Sequence, residues 1–354
     1  MFYKELSNEA RRQLIDTQQR GEALRAVRFD LRRRFDGSMT WKERDGREYL
    51  YRRRLRRVDK SLGVRSAQTE TMYAAFTEGR RAVDEKEAGL RRALETMAPV
   101  NRVMGLGRIP RLVARILRRL DDAGVLGDQV CVVGTNALFA YEAHAGIRFE
   151  SSLLATADID IALDARRRLR MATRMMPNGL IGLLRQVDKT FGPLMRGSYR
   201  AANADGFVVD LITAQPRGLK TMTGGQPRRL GGAAGALPFD DVEAAEVPRL
   251  EVIVDAPRFM ATAIDEDGLP VWVAAADPRW WAAHKLWLAE ESSREPLKRE
   301  RDRSQAMAVA TMLARTWSAV DLSDDALKNI PAAMRASLRN AVQASARDGQ
   351  RPEW

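Results

Sequence analysis

Residues 129–162 read QVCVVGTNALFAYEAHAGIRFESSLLATADIDIA. The segment begins with the short, continuous apolar run Gln129–Val133, which is typical of a buried β-strand. Residues 137–145 predict a helix, and Ala157–Ala162 predicts a second strand. This alternation of buried strand, turn, helix and strand favours a fold that mixes strands with helices.

The turn between the first strand and the helix contains Gly134, Thr135 and Asn136. Glycine lets the backbone approach a ligand closely, and the first turn of a helix offers unpaired N–H groups to an anion. We therefore take these three residues as candidates for binding the phosphates of a nucleoside triphosphate. Because many helices begin with a threonine cap, a purely structural Gly-Thr pair is the alternative.

The second strand contains two carboxylates, Asp158 and Asp160, separated by Ile159. Successive strand residues alternate between faces, so the aspartates share one face and Ile159 points into the core. Two carboxylates about 7 Å apart along a strand repel each other unless a cation lies between them. Mg²⁺, or the similar Mn²⁺, prefers such oxygen ligands. The alternative is a solvent-facing edge strand with salt bridges.

A third acidic residue, Asp210, lies in the strongly apolar run Phe207–Thr213, which predicts another strand. A carboxylate there is costly unless it is paired or bound to metal. Three converging strand carboxylates would hold two metal ions about 3.5–4 Å apart, the arrangement used for in-line phosphoryl displacement. Asp158, Asp160 and Asp210 are therefore the candidate catalytic and metal-binding residues, with a structural role for Asp210 as the alternative.

Apolar periodicity and turn residues predict the elements on either side. They are helices over 4–34, 68–97, 109–123 and most of 166–196; hairpins over 39–54, around Asp45-Gly46, and over 198–213; a glycine-rich loop over 224–235; strands over 250–254 and near 269–274; and helices from Pro278 to near Trp354 with a break around Pro331.

The composition excludes several classes of protein. The 354 residues predict two or three modules. The single cysteine, Cys131, excludes an intramolecular disulfide framework and a Cys-rich zinc site, and two histidines exclude a His-rich metal cage. No apolar run reaches about 18 residues, and the N-terminus has no apolar signal core. We therefore expect a cytoplasmic protein with no membrane partner.

The chain is basic, with 59 Lys and Arg against 47 Asp and Glu and a net charge of +12. Residues 1–128 contain 30 of these basic and 19 of these acidic residues, and the densest basic run is 51–60. This segment predicts either a solvated arginine-rich face or a binding site for nucleic acid or another polyanion. Binding of the second kind would weaken as salt rises.

The order of strand, Gly-Thr, helix, Asp-x-Asp strand and later strand aspartate resembles the DNA polymerase β-type nucleotidyltransferase superfamily. More closely, residues 133–142 and 154–161 are similar to a poorly characterised bacterial family of nucleotidyltransferase-fold proteins, distantly akin to the nucleotidyltransferase toxins of toxin–antitoxin systems. The resemblance covers most of residues 40–310. Its further matching pieces are Lys60–Gly63 with Glu70, Asp277-Pro278 with His284-Lys285, and Arg299–Ala306 with Asp302, Gln305 and Ala306.

This resemblance implies an α+β fold with a nucleotidyltransferase-fold mixed sheet and helices. We place its core at residues 106–275. A basic helical and β-hairpin N-terminal module precedes the core at 1–105, and a helical C-terminal module follows it at 276–354.

The resemblance also implies roles for individual residues. Gly134 and Thr135 would hold the nucleotide phosphates, and Lys285 would reach them from the C-terminal helices. Asp158 and Asp160 would bind metal, and Asp210 would assist the metal or deprotonate the attacking hydroxyl.

The sequence departs from the family pattern in two places. Thr135 replaces the more usual serine, which preserves the hydroxyl. The 24-residue spacing from Gly134 to Asp158 is longer than in minimal members and implies an inserted loop over 146–156.

Three polar residues have a structural and a functional interpretation. His144 and His284 are expected to be structural or surface helix residues, with ligand binding as the alternative. Asp302 either orients Lys285 or a metal-bound water, or pairs with Arg299 or Arg301 on a helix surface.

Two further groups have the same ambiguity. Trp280, Trp281 and Trp287 fit a helix core better than a base-stacking platform. The 224–235 loop, with Arg228 and Arg229, is either a plain loop or a segment that closes over a nucleotide.

The sequence therefore predicts an Mg²⁺-dependent (or Mn²⁺-dependent) nucleotidyltransferase that moves a nucleoside monophosphate from an NTP to a hydroxyl. The predicted acceptor is RNA, particularly tRNA, or a protein side chain. One alternative is a non-catalytic nucleic-acid-binding protein with a decayed nucleotidyltransferase fold, which the three intact aspartates disfavour. Another is a toxin or defence component that acts with a partner such as an antitoxin.

Overall fold

The computed structural model describes residues 2–54, 58–164, 179–215, 242–317 and 320–348. The predicted loop at 224–235 and part of the predicted helical segment 166–196 lie outside these residues. Over the described ranges, no helix combines the length and apolar character needed to cross a membrane.

Helices and strands are labelled in chain order. The helices are α1 (Asn8–Arg34), α2 (Ala67–Val103), α3 (Arg111–Asp122), α4 (Leu138–Ala145), α5 (Ser151–Leu154), α6 (Gly179–Val187), α7 (Glu251–Val254), α8 (Pro278–Glu290), α9 (Pro296–Arg315) and α10 (Ala332–Asp348). The strands are β1 (Tyr3–Glu5), β2 (Ser38–Arg44), β3 (Arg47–Arg53), β4 (Lys60–Val64), β5 (Val130–Val132), β6 (Ile147–Phe149), β7 (Asp158–Leu163), β8 (Gly192–Pro193), β9 (Arg200–Ala202), β10 (Val208–Ala214), β11 (Ala245–Val247), β12 (Arg258–Ile264) and β13 (Pro270–Ala276).

A mixed sheet forms the centre of the fold, as predicted for the α+β class. Its strands follow the order β12-β13-β5-β7-β10-β9-β8, and β11 pairs with the far half of β10. Strands β7, β10 and β11 run parallel to one another. Strand β5 runs antiparallel to β7, and β9 runs antiparallel to β10. The two predicted strands that carry aspartates are therefore adjacent in space.

The apolar runs explain why these strands are central. All three residues of β5 are buried, and in β7 the fully buried Ile159 and Ile161 alternate with the aspartates. Side chains from both faces of the sheet join one hydrophobic core with α3, α4, α8 and α9. This core packs against β7 and β10, which pair side by side.

The N-terminal region contains two long helices and a three-stranded antiparallel sheet. The predicted hairpin at 39–54 is confirmed by β2 and β3, with positive φ at Asp45 (51°) and Gly46 (72°) as the turn requires. The sequence interpretation missed β4, which adds to β3 through an irregular register. Helix α2 continues past the predicted end to Val103, with Pro99 inside it.

The predicted strand at 250–254 is wrong, because α7 occupies this segment. A segment of five residues, four of them apolar, does not distinguish a buried strand from a buried helical turn. Here the chain turns at Arg249, which has a φ of 61°, and closes helical hydrogen bonds from Val254 to Leu250 and from Asp255 to Glu251. The neighbouring strand β12 was missed.

The predicted helix over 4–34 and loop over 146–156 also need correction. Residues Tyr3–Glu5 form a strand instead, and α1 begins after the Ser7 cap. The loop contains β6 and α5, and β6 pairs with β1. The inserted segment is therefore tied to the N-terminus rather than free in solvent.

The helical C-terminal region starts where it was predicted to start. The Asp277 side chain accepts a hydrogen bond from the Arg279 N–H, and Pro278 occupies the first turn of α8. Helices α8, α9 and α10 pack against one another. The predicted break around Pro331 is wider than expected, because α9 ends at Arg315 and α10 starts at Ala332.

Candidate functional site

The register between β7 and β10 brings the three aspartates to one face of the sheet. Asp210 lies directly opposite Asp160, and Val208 lies opposite Asp158. Paired residues on neighbouring strands point to the same face, as do residues two apart along one strand. Asp158, Asp160 and Asp210 therefore share a face, and the isoleucines of β7 point the other way.

The Gly134 turn lies directly against this carboxylate face. Gly134 has φ 59° and ψ −152°, a backbone region that L-residues rarely adopt. A Cβ atom at this position would lie 2.0 Å from the Asp160 Oδ2. The Gly134 carbonyl also accepts a 3.1 Å hydrogen bond from the Trp281 Nε1. Only glycine fits here, and the turn is held from the side of α8.

A cleft of about 380 Å³ opens between the sheet and α8. Its polar lining includes Gly134, Asp160, Asp210 and Lys285. Its apolar lining comes from the far end of β10, from β11 and α7, and from α8. The size is in the range of small-molecule sites, and the apolar wall next to a charged end suits a nucleotide with its base and its phosphates.

Arg200 on β9 forms an ion pair with the carboxylate of Asp210. The two residues are opposite each other in the antiparallel register. The Arg200 Nε donates to Asp210 Oδ1 at 3.1 Å, and the Arg200 Nη2 donates to Asp210 Oδ2 at 3.1 Å. This two-pronged ion pair partly neutralises the third aspartate.

Burial and like charge act together on Asp160. Burial raises the pKa of this carboxyl to about 6, with Asp158 and Asp210 adding to the effect. Lys285 and Arg294 lower the pKa and oppose this shift. Burial also raises the pKa of Asp210, against the influence of Arg200. The carboxylate face is therefore electrostatically strained near neutral pH and would gain from a bound cation.

The donor chemistry of this face fits a divalent metal ion, although the side chains do not form a closed cage. Within the described ranges, no three Asp, Glu, His or Cys side chains cluster tightly enough to hold a metal. Asp210 is turned towards Arg200, and the Asp158 carboxylate accepts a hydrogen bond from the Thr156 hydroxyl. Asp210 would have to exchange Arg200 for a metal to complete the set.

Thr135 and Asn136 follow Gly134 but do not line the cleft. The Thr135 hydroxyl accepts hydrogen bonds from Arg301 at 2.6 Å and from the Gln305 amide at 3.0 Å. The buried Asn136 amide donates to the carbonyl of Asp158 at 2.8 Å. Thr135 thus joins the turn to α9, and Asn136 joins it to β7. The predicted contact of Thr135 and Asn136 with the phosphates therefore stays a prediction.

Lys285 reaches the cleft from α8 as part of a buried ion-pair network. Its Nζ lies 2.6 Å from Asp302 Oδ1, and Arg294 donates to the other oxygen. Burial lowers the pKa of Lys285, and the Asp302 carboxylate opposes that shift. The alternative in which Asp302 pairs with Arg299 or Arg301 on the helix surface is wrong. Asp302 is buried and orients Lys285.

One face of α8 lines the cleft, through residues at helical spacing: Trp281, His284, Lys285 and Leu288. Trp281 and Trp280 are buried, which confirms their predicted core role, and Trp287 packs at the edge of the core. His284 is also buried, and its Nε2 has no hydrogen-bond partner among the described residues. His144 is on the surface, where its Nε2 accepts from Trp317.

The buried His284 gives a testable dependence of stability on pH. Burial, followed by the charge of Lys285, lowers the pKa of His284 from 6.5 to about 3. Its stabilising contribution is therefore fully present above pH 6.5 and is lost as the pH falls towards 3. As the pH falls across this window, the free energy of unfolding of the wild type should decrease by up to about 1.4 kcal/mol per pH unit more than that of His284→Gln.

Urea unfolding followed by tryptophan fluorescence at pH 7, 6 and 5 measures this difference. The wild type and His284→Gln share every other titrating group, so the difference between their slopes isolates the imidazole. Equal slopes for the two proteins would contradict the assignment.

The sequence interpretation gave no role in the site to four residues: Arg200, Arg294, Arg301 and Gln305. Arg200 lies inside the predicted 198–213 hairpin. It is opposite Asp210 because five residues connect the two strands, and the sequence pattern did not predict the length of this connection. Arg294 precedes α9 and has no motif of its own. Arg301 and Gln305 lie one helical turn apart, a spacing that could have indicated a shared target.

Comparison with known proteins adds to this geometry. A family model described as nucleotidyltransferase matches residues 111–331, which include the Gly134 turn, all three aspartates and Lys285. Neither the curated proteins nor the solved structures contain a match to the chain.

Proposed function

The chain belongs to the nucleotidyltransferase family, and from this premise we propose that it moves a nucleoside monophosphate from an NTP to a hydroxyl acceptor, with Mg²⁺ or Mn²⁺ bound by Asp158, Asp160 and Asp210. Family membership makes the protein an enzyme with a nucleotide substrate. The observation that carries the finer proposal is the β7–β10 register. It sets the three carboxylates on one face, beside a turn at Gly134 that a side chain would block.

In the proposed step the acceptor hydroxyl oxygen forms a bond to the α-phosphorus. The bond from that phosphorus to the oxygen leading to the β-phosphorus breaks, and pyrophosphate leaves. A divalent cation held by the carboxylates would neutralise phosphate charge and lower the pKa of the attacking hydroxyl. The hydroxyl proton passes to Asp210, which lies on the same face of the sheet as Asp158 and Asp160.

The other cleft residues would position the nucleotide. Lys285 and Arg294 supply positive charge to the triphosphate from the α8 side. Gly134 lets the backbone approach the phosphates. The apolar end of the cleft, which includes Ile212 and Leu288, suits the base.

The acceptor and the biological setting are finer proposals. The basic N-terminal region favours RNA, particularly tRNA, over a protein side chain as the acceptor. A role as the toxin of a toxin–antitoxin pair, with an antitoxin partner, stays a prediction of the sequence resemblance. Family membership argues against the non-catalytic alternative, in which the fold binds nucleic acid without chemistry.

Label transfer tests the proposed function. Purified protein would be incubated with each α-³²P-labelled NTP, total cellular RNA or total protein, and Mg²⁺ or Mn²⁺. We expect label on one class of acceptor, sensitive to RNase or to protease accordingly, and complete loss with EDTA. Asp205→Asn, in the exposed turn before β10, should keep full activity. Absence of both label transfer and metal-dependent NTP binding would refute the proposal.

A further inference from the structure

The three-stranded sheet formed by β2, β3 and β4 has two chemically different faces. Helix α2 covers one of them: the Trp41 ring lies 5.9 Å from Tyr73, and the Arg52 guanidinium lies 4.0 Å from the Phe76 ring. The fully buried Leu50 is opposite Trp41 and faces the same way. We call the opposite side of this sheet the outer face.

The strand register fixes the composition of the outer face. Residues two apart along β2 and β3, together with their cross-strand partners, share it. They are Ser38, Thr40, Lys42, Arg44, Arg47, Tyr49, Tyr51 and Arg53. The outer face thus combines four cations with two aromatic rings, and neither strand contributes an acidic residue to it.

The acidic residues of these strands are on the covered side. Glu43 and Glu48 are opposite each other in the register, and Glu48 pairs there with Arg65 at 2.6 Å. Asp59, in the segment before β4, does reach the outer face, with its carboxylate 2.7 Å from Lys42 and 4.0 Å from Arg53. The segregation of charge along both strands leaves the outer face net positive.

The cations and rings of the outer face are available to a ligand. Lys42, Arg44, Arg47 and Arg53 are exposed, and the two tyrosines are partly exposed. The Lys42 Nζ lies 5.0 Å from the centroid of the Tyr51 ring. A ligand that binds here would meet positive charge and a flat aromatic surface together.

We propose that the outer face of the β2–β4 sheet binds single-stranded nucleic acid. Phosphates would pair with the lysine and arginines, and bases would stack on Tyr49 and Tyr51. A single strand offers both groups at once, whereas a duplex buries the faces of its bases in the stack. This inference does not rest on nucleotidyl transfer, although it would give the enzyme a site that holds an RNA acceptor.

Fluorescence anisotropy with the full chain tests this surface. The probes are fluorescein-labelled 20-nucleotide single strands of RNA and of DNA with one mixed sequence, and the matching duplexes. Tyr49→Thr/Tyr51→Thr keeps β-branched strand formers but removes the rings, and we expect affinity for the single strands to fall at least about 10-fold. Tyr49→Phe/Tyr51→Phe keeps the stacking surface and should bind as wild type does.

The charged residues are tested separately. Lys42→Gln/Arg44→Gln leaves the apolar packing of the sheet untouched. The negative slope of log affinity against log salt concentration should become less steep by about 1.4. The matched control, Arg33→Gln/Arg92→Gln, removes two exposed cations from α1 and α2 and should stay within about 2-fold of wild type. Circular dichroism would verify that each variant is folded.

The outcomes separate this inference from the proposed function. Asp158→Asn/Asp160→Asn should bind the single strands as wild type does, even where it transfers no label. A tighter complex with RNA than with DNA would identify an RNA ligand. The inference is overturned if wild type binds neither single strand, or if it binds the duplexes as tightly as the single strands. It is also overturned if both the tyrosine-to-threonine variant and the Lys42→Gln/Arg44→Gln variant keep wild-type affinity, or if the Arg33→Gln/Arg92→Gln control loses as much affinity as they do.

Discussion

Asp158→Asn/Asp160→Asn is expected to transfer nucleotide at least about 10³-fold more slowly than wild type, because metal-assisted stabilisation of the transition state contributes several kcal/mol. Asparagine has the shape of aspartate, so the Gly134 turn and the strand register should survive. Removing the charge of Asp160, whose pKa burial raises to about 6, should also stabilise the metal-free protein by about 1–3 kcal/mol near pH 8. The variant should therefore be more stable and inactive at the same time.

Thermal unfolding with and without Mg²⁺ separates this cause from simple damage. Wild type should gain stability as Mg²⁺ is added, because a ligand that binds the folded state stabilises it. The variant should not respond. Retained label transfer, or an equal response to Mg²⁺ in both proteins, would contradict the assignment of Asp158 and Asp160 as metal ligands.

The position of these aspartates was predictable because β7 and β10 have strong sequence patterns. In both strands a carboxylate interrupts an apolar run, and this pattern by itself places Asp158 and Asp160 on one face. The adjacency of Asp210 depends on the pairing of two strands separated by more than 40 residues, which the sequence suggests only through the family resemblance. The register that sets Asp210 opposite Asp160 comes from the structure.

Contacts made by long side chains across the fold were not predictable. Arg294 lies between α8 and α9, and its bond to Asp302 depends on how those helices pack. The bonds from Arg301 and Gln305 to Thr135 span about half the length of the chain. Local sequence gives the face on which a residue lies, but not the partner that a distant helix brings to it.

The short elements were not predicted correctly, for a different reason. Strands β1 and β6 have three residues each and exist because they pair with each other, so neither has a detectable period of its own. The run at 250–254 has too few residues to separate helical from strand periodicity. The longer hairpin of β2 and β3, with a turn that requires positive φ, was predicted correctly.

Asp302→Asn is expected to destabilise the protein by about 3–5 kcal/mol, because it leaves the ammonium of Lys285 buried without its counter-ion. The side chain of Lys285 is 10% exposed and that of Asp302 is 2% exposed. Arg294, at 32%, is close enough to solvent to be hydrated when Asp302 is neutral. The loss should therefore come from the Lys285–Asp302 pair, and urea unfolding at pH 7 measures it.

A double variant, Lys285→Met/Asp302→Leu, distinguishes stability from nucleotide binding. Replacing both charges with apolar side chains of similar volume removes the unpaired ion, so the free energy of unfolding should return to within about 1 kcal/mol of wild type. Its affinity for ATP should still fall about 10-fold, because the proposed charge-assisted bond from Lys285 to a phosphate would be lost. A single variant as stable as wild type would show that Asp302 does not compensate Lys285. A stable double variant with normal ATP affinity would show instead that the network holds α8 to α9 and does not reach the nucleotide.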